Sequence, residues 1–173
     1  MLETERLVLR PVREDDLDAY AEMCGDPDVM RYIGAGKPMT RNETWRSLAF
    51  LLGHWNLRGF GMWAATVRGD DRMIGRVGFL QPEGWPGFEI GWQLGKDAWG
   101  KGYATEGALA ALAWCRKSLP EQREVISLIY PENAPSIRVA ERLGEKFIRM
   151  HKMNDGEVRI YGMALDGNAR MGR

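Results

Sequence analysis

The strongest chemical signal in the chain is a pair of glycines, Gly100 and Gly102, in the stretch Trp99-Gly100-Lys101-Gly102-Tyr103-Ala104-Thr105-Glu106. This stretch joins a strand-like run, Phe88 to Leu94, to a strongly helical one, Ala104 to Ser118. Two glycines let the backbone turn so that its N–H groups converge. The helix that follows adds its unpaired N–H groups and the positive end of its dipole. The chemistry of such a junction is anion binding, and a phosphorylated ligand is expected there. Spacing narrows the choice. The P-loop pattern G-x-x-x-x-G-K-[ST] does not occur in the chain. A Rossmann fingerprint finds its first two glycines in Gly100 and Gly102, but Thr105 stands where the third belongs. The next strand, Glu124 to Tyr130, carries its acid at the start and not at the end. A dinucleotide-binding oxidoreductase is therefore the weaker alternative.

A third pattern fits better. Trp99 to Ala104 resembles the acyl-CoA pyrophosphate loop of the GNAT N-acetyltransferase superfamily, [QR]-x-x-G-x-[GA], with Gly102 and Ala104 at the small-residue positions and Trp99 in place of Gln or Arg. The wording W-G-K-G-Y-A-T-E is similar to that of the branch containing the ribosomal-protein acetyltransferases RimJ and RimL. The likeness extends to Thr4-Glu5-Arg6-Leu7-Val8-Leu9-Arg10-Pro11, to Glu14-Asp15-Asp16-Leu17, and to Asn133-Ala134-Pro135-Ser136 followed by Val139-Ala140-Glu141-Arg142-Leu143-Gly144.

The resemblance implies transfer of an acetyl group from acetyl-CoA to a primary amine, on a protein or peptide N-terminus or on a small molecule. The amine attacks directly in a ternary complex, with no metal. It assigns cofactor contacts to Trp99, Gly100, Lys101, Gly102, Tyr103, Ala104 and Thr105 at the pyrophosphate, and to strand amides around Trp92, Gln93 and Leu94 along the pantetheine. Asn133 and Ser136 complete the set. Asn133 also stands where a helix N-cap is wanted, just before Pro135. Many members carry a tyrosine seven residues after that asparagine as the proton donor to the thiolate. Here the position is Ala140, which shifts the donor role to the Ser136 hydroxyl or to solvent, and makes a CoA-binding sensor without turnover an alternative.

Acyl transfer also needs an uncharged amine. At pH 7 deprotonation costs roughly 1 kcal/mol for an α-amino group and roughly 4 to 5 kcal/mol for a lysine side chain, so a base matters more for lysine. Glu89 is the candidate base, or a carboxylate that orients the substrate: Glu89, Gly91 and Gln93 share one face of their strand, and Phe88, Ile90 and Trp92 share the other. No cysteine or serine is paired with a histidine in the manner of a covalent acyl-enzyme. By fold analogy Arg31, Tyr32, Trp45, Trp85 and Tyr161 border the acceptor side, although aromatic residues at such spacing also build cores.

The elements that must position these residues follow from periodicity. Arg6 to Val12 alternates as a strand, and Asp15 to Cys24 places Leu17, Tyr20, Ala21 and Cys24 on one helical face. Gly25-Asp26-Pro27 reads as a turn. Thr40 and Glu43 form a capping box for a helix with Trp45, Leu48, Leu52 and Trp55 as its stripe, ended by Gly59 and Gly61. Met62 to Arg68, Met73 to Leu80 and Phe88 to Leu94 read as an antiparallel meander. A helix with Ala108, Ala111, Leu112 and Cys115 inward leads to a strand at Val125 to Tyr130. A short helix at Ala134 to Leu143, stopped by Gly144, precedes a hairpin closed at Asn154-Asp155-Gly156. The expectation is an α+β domain over residues 1–165: one mixed, mostly antiparallel sheet of about seven strands with about four helices. The resemblance adds that the sheet is splayed between Phe88–Leu94 and Val125–Tyr130. Residues 166–173 read as a disordered tail.

Composition bounds the rest. The 173 residues carry 24 Lys and Arg against 24 Asp and Glu, so no bulk field favours nucleic acid or an anionic membrane. The apolar runs are too short to span a bilayer, and two isolated cysteines with two histidines make neither a disulfide framework nor a metal centre. A cytoplasmic enzyme, monomeric or homodimeric, is expected.

Overall fold

Side-chain alternation along the central strands sorts the core into two layers. In the computed structural model, which describes residues 1–153 and 156–165, eight strands form one sheet: β1 (Leu2–Glu3), β2 (Leu7–Arg10), β3 (Met62–Val67), β4 (Gly75–Leu80), β5 (Glu89–Leu94), β6 (Glu124–Ile129), β7 (Lys146–Met153) and β8 (Gly156–Ala164). Their order is β1-β2-β3-β4-β5-β6-β8-β7, and every neighbouring pair is antiparallel except β5 with β6. Five helices cover it: α1 (Leu17–Gly25), α2 (Pro27–Met30), α3 (Arg41–Arg58), α4 (Tyr103–Ser118) and α5 (Ala134–Leu143).

From β3, Met62 and Ala64 point into a layer with Tyr20, Cys24, Met30, Leu48 and Leu51 of the first three helices. The alternate residues Trp63 and Ala65 point the other way, with Val77, Phe79, Phe88 and Ile90, against Ala108, Ala111, Leu112 and Cys115 of α4. Burying each large apolar side chain contributes about 1.5–3 kcal/mol, and both sheet faces draw on it. The arrangement is the mixed, mostly antiparallel α+β sheet read from the sequence, with one more strand, the two-residue β1. It has one more helix, α2, whose N-cap Asp26 accepts from the N–H groups of Asp28 and Val29 where a plain turn is expected. Residues 154, 155 and 166–173, which hold the turn of the last hairpin and the expected disordered tail, lie outside the described residues.

The capping box of α3 forms as the Thr40–Glu43 spacing requires, and Gly59 ends the helix with a left-handed φ of 74°. Its buried stripe differs from expectation. Trp45 and Leu52 are exposed, while Thr44, Leu48, Leu51 and His54 face inward. Two polar residues take core positions because each is satisfied locally. The Thr44 hydroxyl donates to the Thr40 carbonyl at 3.0 Å, and His54 Nδ1 lies 2.9 Å from the Phe60 carbonyl. His54 Nε2 accepts from the Gln81 N–H at 3.0 Å, which fixes the neutral tautomer with hydrogen on Nδ1.

Burial lowers the His54 pKa from its ordinary value. A depressed histidine leaves the unfolded chain holding more protons below about pH 6.5, so its contribution to stability is present above that pH and is lost as pH falls through the folded pKa. Comparing thermal melts of the parent and of His54→Leu from pH 7.5 to 5 isolates this contribution: the variant should be less stable by about 1–3 kcal/mol at pH 7, with the Phe60 carbonyl and Gln81 N–H left unpaired, and the gap between the two should narrow as pH falls.

Candidate active site

The site begins where two strands part. β5 and β6 meet in a single parallel bridge, Glu89 opposite Ile126, with the Ile126 N–H donating to the Phe88 carbonyl at 2.9 Å. Backbone direction alternates along a strand, so the peptide groups of Phe88, Ile90, Trp92 and Leu94 face β6, and those of Glu89, Gly91 and Gln93 face β4. The Ile90 carbonyl takes a side-chain donor, Ser127 Oγ, at 2.9 Å. Beyond it β5 stays paired with β4 but has no strand partner on the β6 side, which leaves the N–H groups of Trp92 and Leu94 open toward the gap.

The glycine loop closes the far end of the gap. Gly100 and Gly102 both adopt left-handed backbone, with φ of 72° and 80°, and Gly102 is the N-cap of α4. The first turn of α4 therefore presents the N–H groups of Tyr103, Ala104 and Thr105 without intrahelical partners. The Trp99 indole N–H donates to the Leu94 carbonyl at 2.8 Å and ties the loop to the end of β5, a role that accounts for tryptophan at this position. Thr105 Oγ1 is buried and lacks a hydrogen-bond partner. An orphaned hydroxyl beside open helix N–H groups is what a phosphate oxygen would satisfy, so the residues present fit an acyl-CoA diphosphate.

The loop is braced from a distant segment. Glu106 accepts from Thr4 Oγ1 at 2.6 Å, from the Arg6 N–H at 2.8 Å and from Arg6 Nε at 2.7 Å. Arg6 Nη1 then donates to the Lys101 carbonyl at 2.9 Å, and its guanidinium lies over the Tyr103 ring. These contacts hold the Glu106 carboxyl below the usual range against its partial burial.

The opposite wall is the start of α5. Asn133 Oδ1 caps the helix by accepting from the Ser136 N–H at 3.3 Å, so its amide nitrogen remains available. Ser136 Oγ accepts from Trp92 Nε1 at 3.3 Å, which leaves the hydroxyl hydrogen free to donate elsewhere. The cleft between these walls measures about 700 Å³ and includes Tyr32 and Arg31 from beyond α2, with Arg138 and Arg142 on α5.

On the other face of β5, the half-buried Glu89 accepts from the Trp85 indole N–H at 2.7 Å. Desolvation raises its pKa to about 7, against the opposing pull of Trp85, the Leu128 N–H and Arg76. A carboxylate of that affinity can take or release a proton near neutrality.

Residues 6–146 match the family model described as an acetyltransferase (GNAT) domain. An uncharacterised N-acetyltransferase, p20, of Bacillus licheniformis is 32% identical over 82% of this chain and 80% of its own length. The crystal structure of an acetyltransferase from Agrobacterium tumefaciens superposes with a TM-score of 0.83 at 31% identity, covering 94% of this chain and 92% of that one. The chain belongs to the GNAT acetyltransferase family. It is an N-acetyltransferase that uses acetyl-CoA as its donor. A ribosomal L7/L12 alpha-N-protein acetyltransferase, RimL, solved in complex with coenzyme A, shares the fold at a TM-score of 0.74 and 16% identity, covering 94% of this chain and 96% of that one.

Seen as a GNAT site, most residues singled out from the sequence gather on one cleft: Trp92, Leu94, Trp99, Gly100, Gly102, Tyr103, Ala104, Thr105, Asn133 and Ser136 all line it. Two lie off its lining. The Lys101 side chain borders a separate hollow of about 300 Å³, and its carbonyl serves the loop. Glu89 sits at the fork, on the face of β5 opposite Trp92, where Trp85 holds it. Gln93 borders the cleft, but its side chain turns toward α1 and α2, accepting from Arg76 Nε at 2.8 Å and reaching the sulfurs of Cys24 and Met30, and its peptide group faces β4. Of the aromatic residues expected near the acceptor, Tyr32 lines the cleft and Trp85 holds Glu89, whereas Trp45 is exposed on α3 and Tyr161 is core. Sequence reasoning missed the bracing pair Arg6 and Glu106, whose only signal was membership of two motifs.

Gly102→Val should weaken coenzyme A binding tenfold or more, roughly the 1–3 kcal/mol of forcing a branched residue to positive φ. Arg6→Ala, which removes a half-exposed brace, should weaken it by a few-fold, in line with about 1 kcal/mol. Calorimetry with coenzyme A, on proteins whose circular dichroism is unchanged, separates the two.

Proposed function

We propose that this enzyme acetylates a primary amine, on a protein or peptide N-terminus or on a small molecule, by direct attack within a ternary complex, residues 1–165 acting as one domain. The observation that carries the proposal is the unpaired edge of β5 with a proton acceptor, Glu89, on one face and a free hydroxyl donor, Ser136, beside the other. A RimJ/RimL-like preference for N-termini draws support from the loop wording W-G-K-G-Y-A-T-E. It also suits the chemistry: near neutrality an α-amino group needs only about 1 kcal/mol to lose its proton, within reach of a carboxylate of pKa about 7. Two buried free thiols suit the reducing cytoplasm.

When bound, acetyl-CoA supplies the activated acyl thioester. The Tyr103, Ala104 and Thr105 N–H groups and Thr105 Oγ1 hold its diphosphate, with the α4 dipole adding to the attraction. The Trp92 and Leu94 peptide groups receive the pantetheine as an added strand, and the Asn133 amide nitrogen reaches the same arm. Glu89 accepts the ammonium proton directly or through one water. Ser136, its oxygen already engaged by Trp92, donates its hydrogen toward the departing sulfur. Water is kept from the seam by the Trp92, Ile129 and Ala140 cluster.

Free-thiol release measured over a panel of peptides and small amines tests the acceptor class. Peptides with free α-amines should react and N-terminally blocked peptides should not; reaction of small amines alone would remove the N-terminal reading. Ser136→Ala and Glu89→Gln should each lower kcat by roughly 10- to 100-fold while coenzyme A affinity changes little. In the parent enzyme, kcat/KM should rise as pH climbs through about 7, and Glu89→Gln should erase that limb. Ping-pong kinetics would overturn the ternary-complex mechanism.

A further inference from the structure

A second carboxyl group lies buried beside the site. Glu145 follows Gly144, whose left-handed φ of 94° ends α5, and its N–H returns to the Ala140 carbonyl at 3.0 Å. The residue after such a glycine is ordinarily apolar and folds back onto the helix. Here it is a glutamate only 3% exposed, and both carboxyl oxygens are buried without a partner of good geometry. An ionised carboxylate cannot persist in that setting, whereas a protonated one brings its own donor.

The Ser127 hydroxyl lies next to it. Ser127 has spent its single hydrogen on the Ile90 carbonyl, so what it offers Glu145 is an acceptor. Protonation of Glu145 would complete a relay, its O–H turning toward Ser127 Oγ while Ser127 donates to Ile90. The relay ends on β5 one residue past Glu89, at the fork where β5 and β6 separate. The charge of Glu89 also acts on Glu145, making a second negative charge in the seam harder to place. Among the described residues, the charged groups that act on this pair are the two carboxyls themselves and Arg76 from β4, which bears on Glu89.

We propose that Glu145 is a positioning residue for acyl transfer: held as a neutral acid, it pins β6 to the Ile90 carbonyl at the fork and confines the Glu89–Glu145 pair to a single negative charge, carried by Glu89. The proposal rests on the reading of Glu89 as the proton acceptor. As Glu89 takes the ammonium proton the pair passes from one charge to none, and Glu145 keeps its own hydrogen throughout. Burial and the Glu89 charge raise the Glu145 pKa to about 8. Above that pH Glu145 loses its hydrogen, the relay loses its donor, and the seam must hold two charges.

Infrared titration of the substrate-free protein tests this without reference to turnover. A protonated-carboxyl band titrating near pH 8 should be present in the parent and be absent from Glu145→Gln, in which the Glu89 band near pH 7 remains. In Glu89→Gln, where Glu145 is unaltered, the band should titrate about one pH unit lower, the mark of two interacting sites. In thiol-release assays, Glu145→Ala should lower kcat about tenfold with the KM for acetyl-CoA unchanged. Glu145→Gln, which keeps a neutral donor, should recover most of that loss and hold its rate at alkaline pH where the parent declines. Lack of the band in Glu89→Gln at a pH about one unit below that expected midpoint, or a Glu145 midpoint indifferent to Glu89→Gln, would overturn the proposal. If the band behaves as expected but Glu89→Gln leaves the pH profile of transfer intact, the assignment of Glu89 as proton acceptor fails, and with it the catalytic part of this proposal.

Discussion

The site depends on a hydrogen-bond ladder that stops after one rung. β5 and β6 share the single bridge at Glu89 and Ile126, and from there the two strands diverge. Because parallel strands in a closed sheet leave no unpaired groups, the same residues with a continued ladder would offer a ligand nothing. Divergence exposes the Trp92 and Leu94 peptide groups inside the fold, where water competes less than at a sheet edge. Ser127 secures the fork by giving a side-chain hydrogen to the Ile90 carbonyl, the first acceptor that β6 no longer reaches.

A gap of this kind needs both ends held. At one end Trp99 binds the last β5 carbonyl and positions two left-handed glycines. At the other, α5 begins with an asparagine cap that sets Ser136 against Trp92. Trp92 thus contributes twice, its peptide group to the open edge and its indole N–H to the orientation of the serine hydroxyl. Ala140 is fully buried beside Ile129 and Tyr161, and Ser136, one turn earlier on the same helix, is the side chain that meets Trp92.

What was legible in the sequence was local. The Thr40–Glu43 box, the glycines at 102 and 144, and the Asn133 cap each place both partners within a few residues, so composition and spacing suffice. The fold class followed from the order of such elements. The inward stripe of α3 did not, because Thr44 and His54 look polar in a list of residues and become core only once the Thr40 and Phe60 carbonyls receive them. The face of β5 that carries Gln93 with Glu89 was legible from alternation, but its partners Arg76, Cys24 and Met30 were not, since they come from β4, α1 and α2. Glu145 was invisible: nothing near it in sequence marks a glutamate at a position that ordinarily takes an apolar residue, and its neighbours Ser127 and Glu89 come from two other strands.

The brace between Thr4 or Arg6 and Glu106 spans about a hundred residues of chain. Closing so long a loop carries an entropic cost that must be met before the contact yields anything, and long-range contacts of this kind form late in folding. The glycine loop is therefore complete only when the opening strand has docked beside β3: a chain with α4 already wound but that strand still free lacks the Arg6 support of the Lys101 carbonyl.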